Sequence, residues 1–275
     1  MIIDSHQHFW IYEPEKHAWI NDEMAVIRQD FTPALLQKVY EDNAIDGCVA
    51  VQADQTLAEN DFLLDLASKN SFIKGIVGWV DLQSRAVDKE LEAYSSLHKI
   101  KGFRHIVQGE PDPDFLLRPQ FLRGISKLEA YGYVYDILIF PHQLATAAAF
   151  IKRFPNQQFV IDHMAKPTIK DGLFDHWAVL MSEIAKHENV HCKISGMITE
   201  ADYDNWTPQQ IEPYMQLVLH AFGSSRVMFG SDWPVCLVAG NYSQVKNLTT
   251  NFIATLSIDE QKAIMGNNAI SFYNL

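Results

Sequence analysis

His6 and His8 stand two residues apart near the start of the chain, directly after the apolar pair Ile2–Ile3. Side chains on a strand repeat with period two, so both imidazoles face one side. Two adjacent imidazoles facing one pocket form half of a divalent metal site. Eleven histidines in 275 residues make one chance His-x-His pair unsurprising, so the pair needs partners from elsewhere. Candidates stand at the ends of later apolar runs: Arg104 and His105, Tyr135 and Asp136 with His142 beyond, Asp162 and His163, Lys193 and Ser195, and Asp232 within Gly230-Ser231-Asp232-Trp233-Pro234. Proteins keep charge off such positions unless it is paired or used.

The elements that would position these groups alternate along the chain. Apolar runs cover Ile2–Ile3, Gly47–Gln52, Ile73–Val80, Lys101–Ile106, Tyr133–Phe140, Gln158–Ile161, Val190–Ile194 and Arg226–Phe229. Amphipathic segments separate them: Ala34–Asn43 behind a Thr32-Pro33 start, Leu57–Asn70, Ser84–Leu97, Pro119–Tyr131, His142–Phe154, Phe174–His187, Pro208–Phe222 and Tyr242–Leu256. A last short helix, Gln261–Ile264, follows a capping box at Ser257, and Gly266-Asn267-Asn268 reads as a stop before a tail. Such alternation implies a parallel sheet, and eight units fit a (β/α)8 barrel in one domain over residues 1–275. A doubly wound open sheet is the alternative, but Asp4–Phe9 lacks the glycines of a phosphate-binding first turn.

In a barrel the strand ends meet at one mouth, so His6, His8, His163 and Asp232 would converge there. Three imidazoles and a carboxylate suit zinc or a similar ion. Asp4 and Asp162 read as groups that hold backbone or orient a histidine. Arg104 either serves the site or pairs with a buried acid, and His142, after a proline, either serves it or merely starts a helix. Cys192 reads as core. Two long loops, Phe9–Phe31 with Trp10, Tyr12 and Trp19, and Gly109–Arg118, are substrate walls or simply packed against the barrel.

Composition narrows the partners. The net charge of −12 provides no basic surface for nucleic acid or an anionic membrane. No apolar run approaches the ~20 residues of a membrane span. Cys48, Cys192 and Cys236 are scattered and odd in number, so neither a disulfide framework nor a cysteine metal knuckle is expected. With no signal-like start, a reducing cytoplasm is the expected location.

Taken in order, Asp4-Ser5-His6-Gln7-His8-Phe9-Trp10, Gly102-Phe103-Arg104-His105, Tyr135-Asp136, Asp162-His163-Met164-Ala165-Lys166-Pro167, Lys193-Ile194-Ser195-Gly196 and Gly230-Ser231-Asp232-Trp233-Pro234 resemble the amidohydrolase superfamily. More narrowly they resemble its sugar-lactone hydrolase branch, over Ile2 to about Asn268. The resemblance implies a distorted (β/α)8 barrel with His6, His8, His163 and Asp232 at the site positions. It implies at most one divalent ion, zinc first, which some members of the branch dispense with. Tyr131–Ile137 lacks the lysine that bridges two metals in other members. Lactone hydrolysis would then use Asp232 as general acid and base, with Arg104 and His105 helping the metal or histidine cluster polarise the carbonyl. Trp10, Trp19, Tyr135 and Trp233 would wall the substrate, with Arg104, Asp136, His142 and Lys166 as polar contacts. Decarboxylases of the same superfamily and pyrone-dicarboxylate lactonases are the rival readings. The second would want several arginines at the mouth, where Arg104 is the clear candidate.

Overall fold

The structure is a computed structural model describing residues 1–275. Eight short strands, β1 (Ile3–Gln7), β2 (Gly47–Val51), β3 (Ile73–Gly78), β4 (Ile100–His105), β5 (Val134–Ile137), β6 (Phe159–Ile161), β7 (Val190–Ile194) and β8 (Val227–Phe229), pair in sequence order, all parallel. Backbone bonds close the ring at its mouth: His8 N–H donates to Trp233 O (2.7 Å) and Asp232 N–H to His6 O (2.8 Å). Helices α1 (Pro33–Asn43), α2 (Leu57–Lys69), α3 (Val87–Tyr94), α4 (Pro119–Leu128), α5 (Leu144–Ile151), α6 (Asp175–Ala185), α7 (Pro208–Phe222) and α8 (Tyr242–Phe252) alternate with the strands. The fold is a (β/α)8 barrel, and no helix is long and apolar enough to cross a membrane.

Two apolar layers follow from the strand period. Outward residues such as Phe103, Tyr135, Ile137, Phe159 and Ile194 pack under the helices. A smaller inner cluster of Ile3, Val49, Val51, Val77, Val160 and Met228 fills the barrel axis. In β1 the pairing register shifts between Asp4 and Gln7, so Ile3 and His6, three residues apart, both reach the interior.

The C-terminal segment departs from the sequence reading. Gly266 does not stop the chain; a helical stretch continues through α9 (Ile258–Lys262), a wide turn at Ala263–Asn267 and α10 (Asn268–Tyr273). A Cβ on Gly266 would lie 2.2 Å from Met1 O, so glycine here permits close backbone approach rather than termination. α10 contributes Phe272 and Tyr273 to the inner cluster, and the Tyr273 hydroxyl donates to Asp136.

Candidate active site

Inward positions of neighbouring strands carry a buried ionic network. Lys193 Nζ lies 2.6 Å from Asp136 Oδ2, 2.9 Å from Asp162 Oδ1 and 3.0 Å from His6 Nδ1. Arg104 donates from Nη1 to Asp162 Oδ2 (3.1 Å) and from Nη2 to the Gln52 carbonyl (2.5 Å). Burial opposes ionisation of Asp162, but Lys193, His6 and Arg104 draw its carboxyl well below the usual range. Burial raises Asp136 despite Lys193.

Above this network three imidazoles and one carboxylate meet. The Nε2 atoms of His6 and His8 are 3.2 Å apart, and Asp232 Oδ1 lies 3.8, 3.4 and 3.9 Å from Nε2 of His6, His8 and His163. His8 Nδ1 faces the Val51 carbonyl at 2.7 Å, so it must carry the proton, leaving the Nε2 lone pair free. Burial holds His6 and His163 well below the ordinary histidine range, hence neutral at pH 7. Burial also opposes ionisation of Asp232; His163, His8 and Lys166 outweigh it and lower the carboxyl.

His6, His8 and Asp232 form a set whose ligand atoms could hold one metal ion. Two tests favour the fit. Bonds of ~2.0–2.1 Å in tetrahedral geometry put ligands ~3.3 Å apart, close to the spacings seen. Asp232 Oδ1 is also buried without a hydrogen-bond partner, which costs free energy unless a cation or substrate proton meets it.

Local backbone explains the aim of each group. Asp4 accepts from Ser231 N–H (2.8 Å), Ser231 Oγ (2.6 Å) and the hydroxyls of Tyr40 and Tyr242 (3.0 Å each). It thereby pins the residue before Asp232, whose own φ is +56°. After β6, His163, Met164, Ala165 and Lys166 all take φ between +50° and +57°. This left-handed turn costs non-glycine residues on the order of 1–2 kcal/mol each. It is held by Trp177, whose indole N–H donates to Met164 O at 2.7 Å, and His163 Nδ1 pairs with Ser195 Oγ at 2.8 Å. Gly196 (φ +63°) passes beneath that ring, where a Cβ would sit 2.7 Å from Nδ1.

The cluster opens into a cavity of about 610 Å³. Of the residues expected at the mouth, Trp10, Trp19, Arg104, Lys166, His8, His163 and Asp232 line it. Six others do not line it: His6 is fully buried beneath His8 and Asp232, and five lie elsewhere. Tyr135 is fully buried against Phe121, Phe150 and Phe159, because its inward neighbour Asp136 forces it outward. Asp136 lies on the barrel floor, bound to Lys193 and Tyr273. His105 is likewise out of phase with Arg104; it stacks on Phe115 and pairs with Glu110 (2.7 Å). Trp233 is buried against Phe9 and Phe31, and His142 is exposed beside Phe140. The Phe9–Phe31 loop serves both expected purposes: Trp10 bridges to Phe31 in the core, and half-exposed Trp19 walls the cavity. Gly109 and Glu110 bring the start of the second expected loop, Gly109–Arg118, to the cavity wall; Gln108, Glu200 and Tyr203 also line it, from segments beyond strand ends where the chain offers no periodic signal.

Known proteins are similar to this chain over its whole length. A family model described as Amidohydrolase matches residues 3–275. The L-fucono-1,5-lactonase of Burkholderia multivorans is 37% identical over 99% of this chain and 96% of its own length. That of Burkholderia ambifaria is 35% identical over 99% and 95%. A crystal structure of a Burkholderia multivorans amidohydrolase with bound zinc superposes with a TM-score of 0.96, at 37% identity, covering 100% of this chain and 99% of that one. A match across the whole barrel, strand ends included, shows that the chain belongs to the amidohydrolase family.

Proposed function

We propose that this enzyme hydrolyses a sugar-derived lactone, such as an L-fucono-, L-rhamnono- or galactonolactone, to the open aldonic acid. The observation that carries the reading is Asp232 Oδ1: buried, unpartnered, ringed by three imidazoles and facing a cavity. The likeness to curated L-fucono-1,5-lactonases supports the same substrate class. Asp232, ionised at neutral pH, takes a proton from the attacking water and returns it to the ring oxygen as the acyl–oxygen bond breaks. Arg104, whose Nη1 is 3.3 Å from His6 Nε2, supplies fixed positive charge beside the developing oxyanion. Ser195 and Val51 hold the rings of His163 and His8 so that their Nε2 atoms keep facing the cluster. Bound at His6, His8 and Asp232, a single divalent ion, zinc first, would polarise the carbonyl and acidify a water.

The cavity also favours a neutral substrate. Its two cations are already matched, Arg104 by Asp162 and Lys166 by Glu200, so a dicarboxylated pyrone would find no uncommitted guanidinium. The test is ring-opening of a panel of fucono-, rhamnono- and galactonolactones followed with a pH indicator, before and after chelation and zinc reloading. Turnover of at least one sugar lactone is expected. Turnover confined to a pyrone dicarboxylate or a carboxylated aromatic would overturn the reading.

A further inference from the structure

The Lys166–Glu200 pair is oddly placed for a purely structural ion pair. Its Nζ–Oε1 distance is 2.6 Å, and the two side chains are 15% and 17% exposed, on the wall of the cavity. A pair held mostly out of water gains little net stability, because desolvation offsets attraction. Burial opposes charge on Lys166, but Glu200 and Asp232 raise it, so the ammonium persists. The chain also spends backbone strain to put it there, since Lys166 ends the left-handed turn that begins at His163. One rigid turn therefore carries both a cluster imidazole and the cavity's ammonium. Hydrogen-bonding capacity is left over: the only bond that Lys166 Nζ makes is to Glu200 Oε1, and Glu200 Oε2 makes none. Gln108 on the same lining keeps its Oε1 buried without a partner.

We propose that Lys166 and Glu200 form a subsite for a vicinal diol of the substrate, Glu200 accepting from one hydroxyl while Lys166 donates to its neighbour. Gln108 Oε1 accepts from a further hydroxyl. The subsite rests on the lactonase reading and narrows it to polyhydroxylated rings. Paired donors and acceptors of this kind reject analogues lacking the hydroxyls, because buried polar groups are then left unmatched. The turn keeps the diol in register with His163, so recognition at this wall places the carbonyl over Asp232.

The experiment compares the best six-membered sugar lactone with δ-valerolactone, the six-membered ring without hydroxyls, in wild type and in Glu200→Gln. Wild type should prefer the sugar lactone by about 100-fold or more in kcat/KM. Glu200→Gln should lower kcat/KM for the sugar lactone about 10- to 100-fold, mainly through KM, and for δ-valerolactone by no more than about threefold. Equal losses on both lactones, or none on either, would overturn the subsite. If Glu200→Gln does not fold, the wild-type comparison decides: a preference below about threefold overturns it. A wild type that opens neither lactone defeats the lactonase reading itself, a result distinct from loss of discrimination between them.

Discussion

The floor and the mouth of the barrel both bury charge, and they treat it differently. On the floor Lys193 is shared by Asp136 and Asp162, and Tyr273 closes the network from α10; Arg104 braces Asp162 and Gln52 at its upper edge, where it reaches the cavity and leaves Nε without a partner. At the mouth, Asp232 Oδ1 and Gln108 Oε1 are buried with nothing to bond. Paired charge in a dry interior fixes geometry; unpaired polar atoms around a cavity are groups waiting for a ligand. The Lys193 network is thus a support for His6, and the mouth, with Arg104 at its base, is where chemistry is placed.

The sharpest way to break that contrast is Asp232→Asn. Asparagine keeps the size and one acceptor but cannot carry a proton in transit, so turnover of the best lactone should fall on the order of 10² to 10⁴. The melting temperature should move by only a few degrees. A variant keeping more than about a tenth of wild-type turnover would remove Asp232 from catalysis.

Lys193→Met probes the floor. It leaves Asp136 and Asp162 without their shared cation, at a cost of about 3–5 kcal/mol. For a domain of this size that corresponds to a fall in melting temperature of roughly 6–20 °C. Undiminished stability with lost activity would instead make the floor part of the catalytic apparatus, and the division drawn above would fail.

A smaller effect is expected at a histidine outside the site. His191, on β7 beside Phe272, is pushed down to about 4 by burial and by Arg226, and its Nδ1 has no partner. Its folded value lies below the unfolded ~6.5, so the unfolded chain binds more protons between pH 6.5 and 4. The stability it contributes is complete above pH 6.5 and is lost as pH falls through 4. At pH 5 the loss is at most about 2 kcal/mol. Melting of wild type and His191→Gln at pH 7.5 and pH 5 checks this: the variant should lose less on acidification, and parallel losses would rule the residue out.

Much of this protein was legible before folding. Alternation of apolar runs and amphipathic segments is local, and local periodicity determined the strands, the helices and hence the barrel. Strand ends in a barrel share one face, so placing His6, His8, His163 and Asp232 there needed only the order of elements. The same period-two rule already set Tyr135 against Asp136 and His105 against Arg104, since neighbours on a strand cannot both face inward. Which member of each pair is inward was decided by packing: aromatic rings fill the layer under the helices, and Asp136 and Arg104 find their charged partners on the axis. Other features belong to tertiary structure alone. Gly266 reads as a helix stop until Met1 is brought against it. Lys166 and Glu200 are 34 residues apart on irregular loops, and nothing periodic links them. Their pairing depends on a strained turn held by Trp177, and such conformations persist only where surrounding contacts over-determine them.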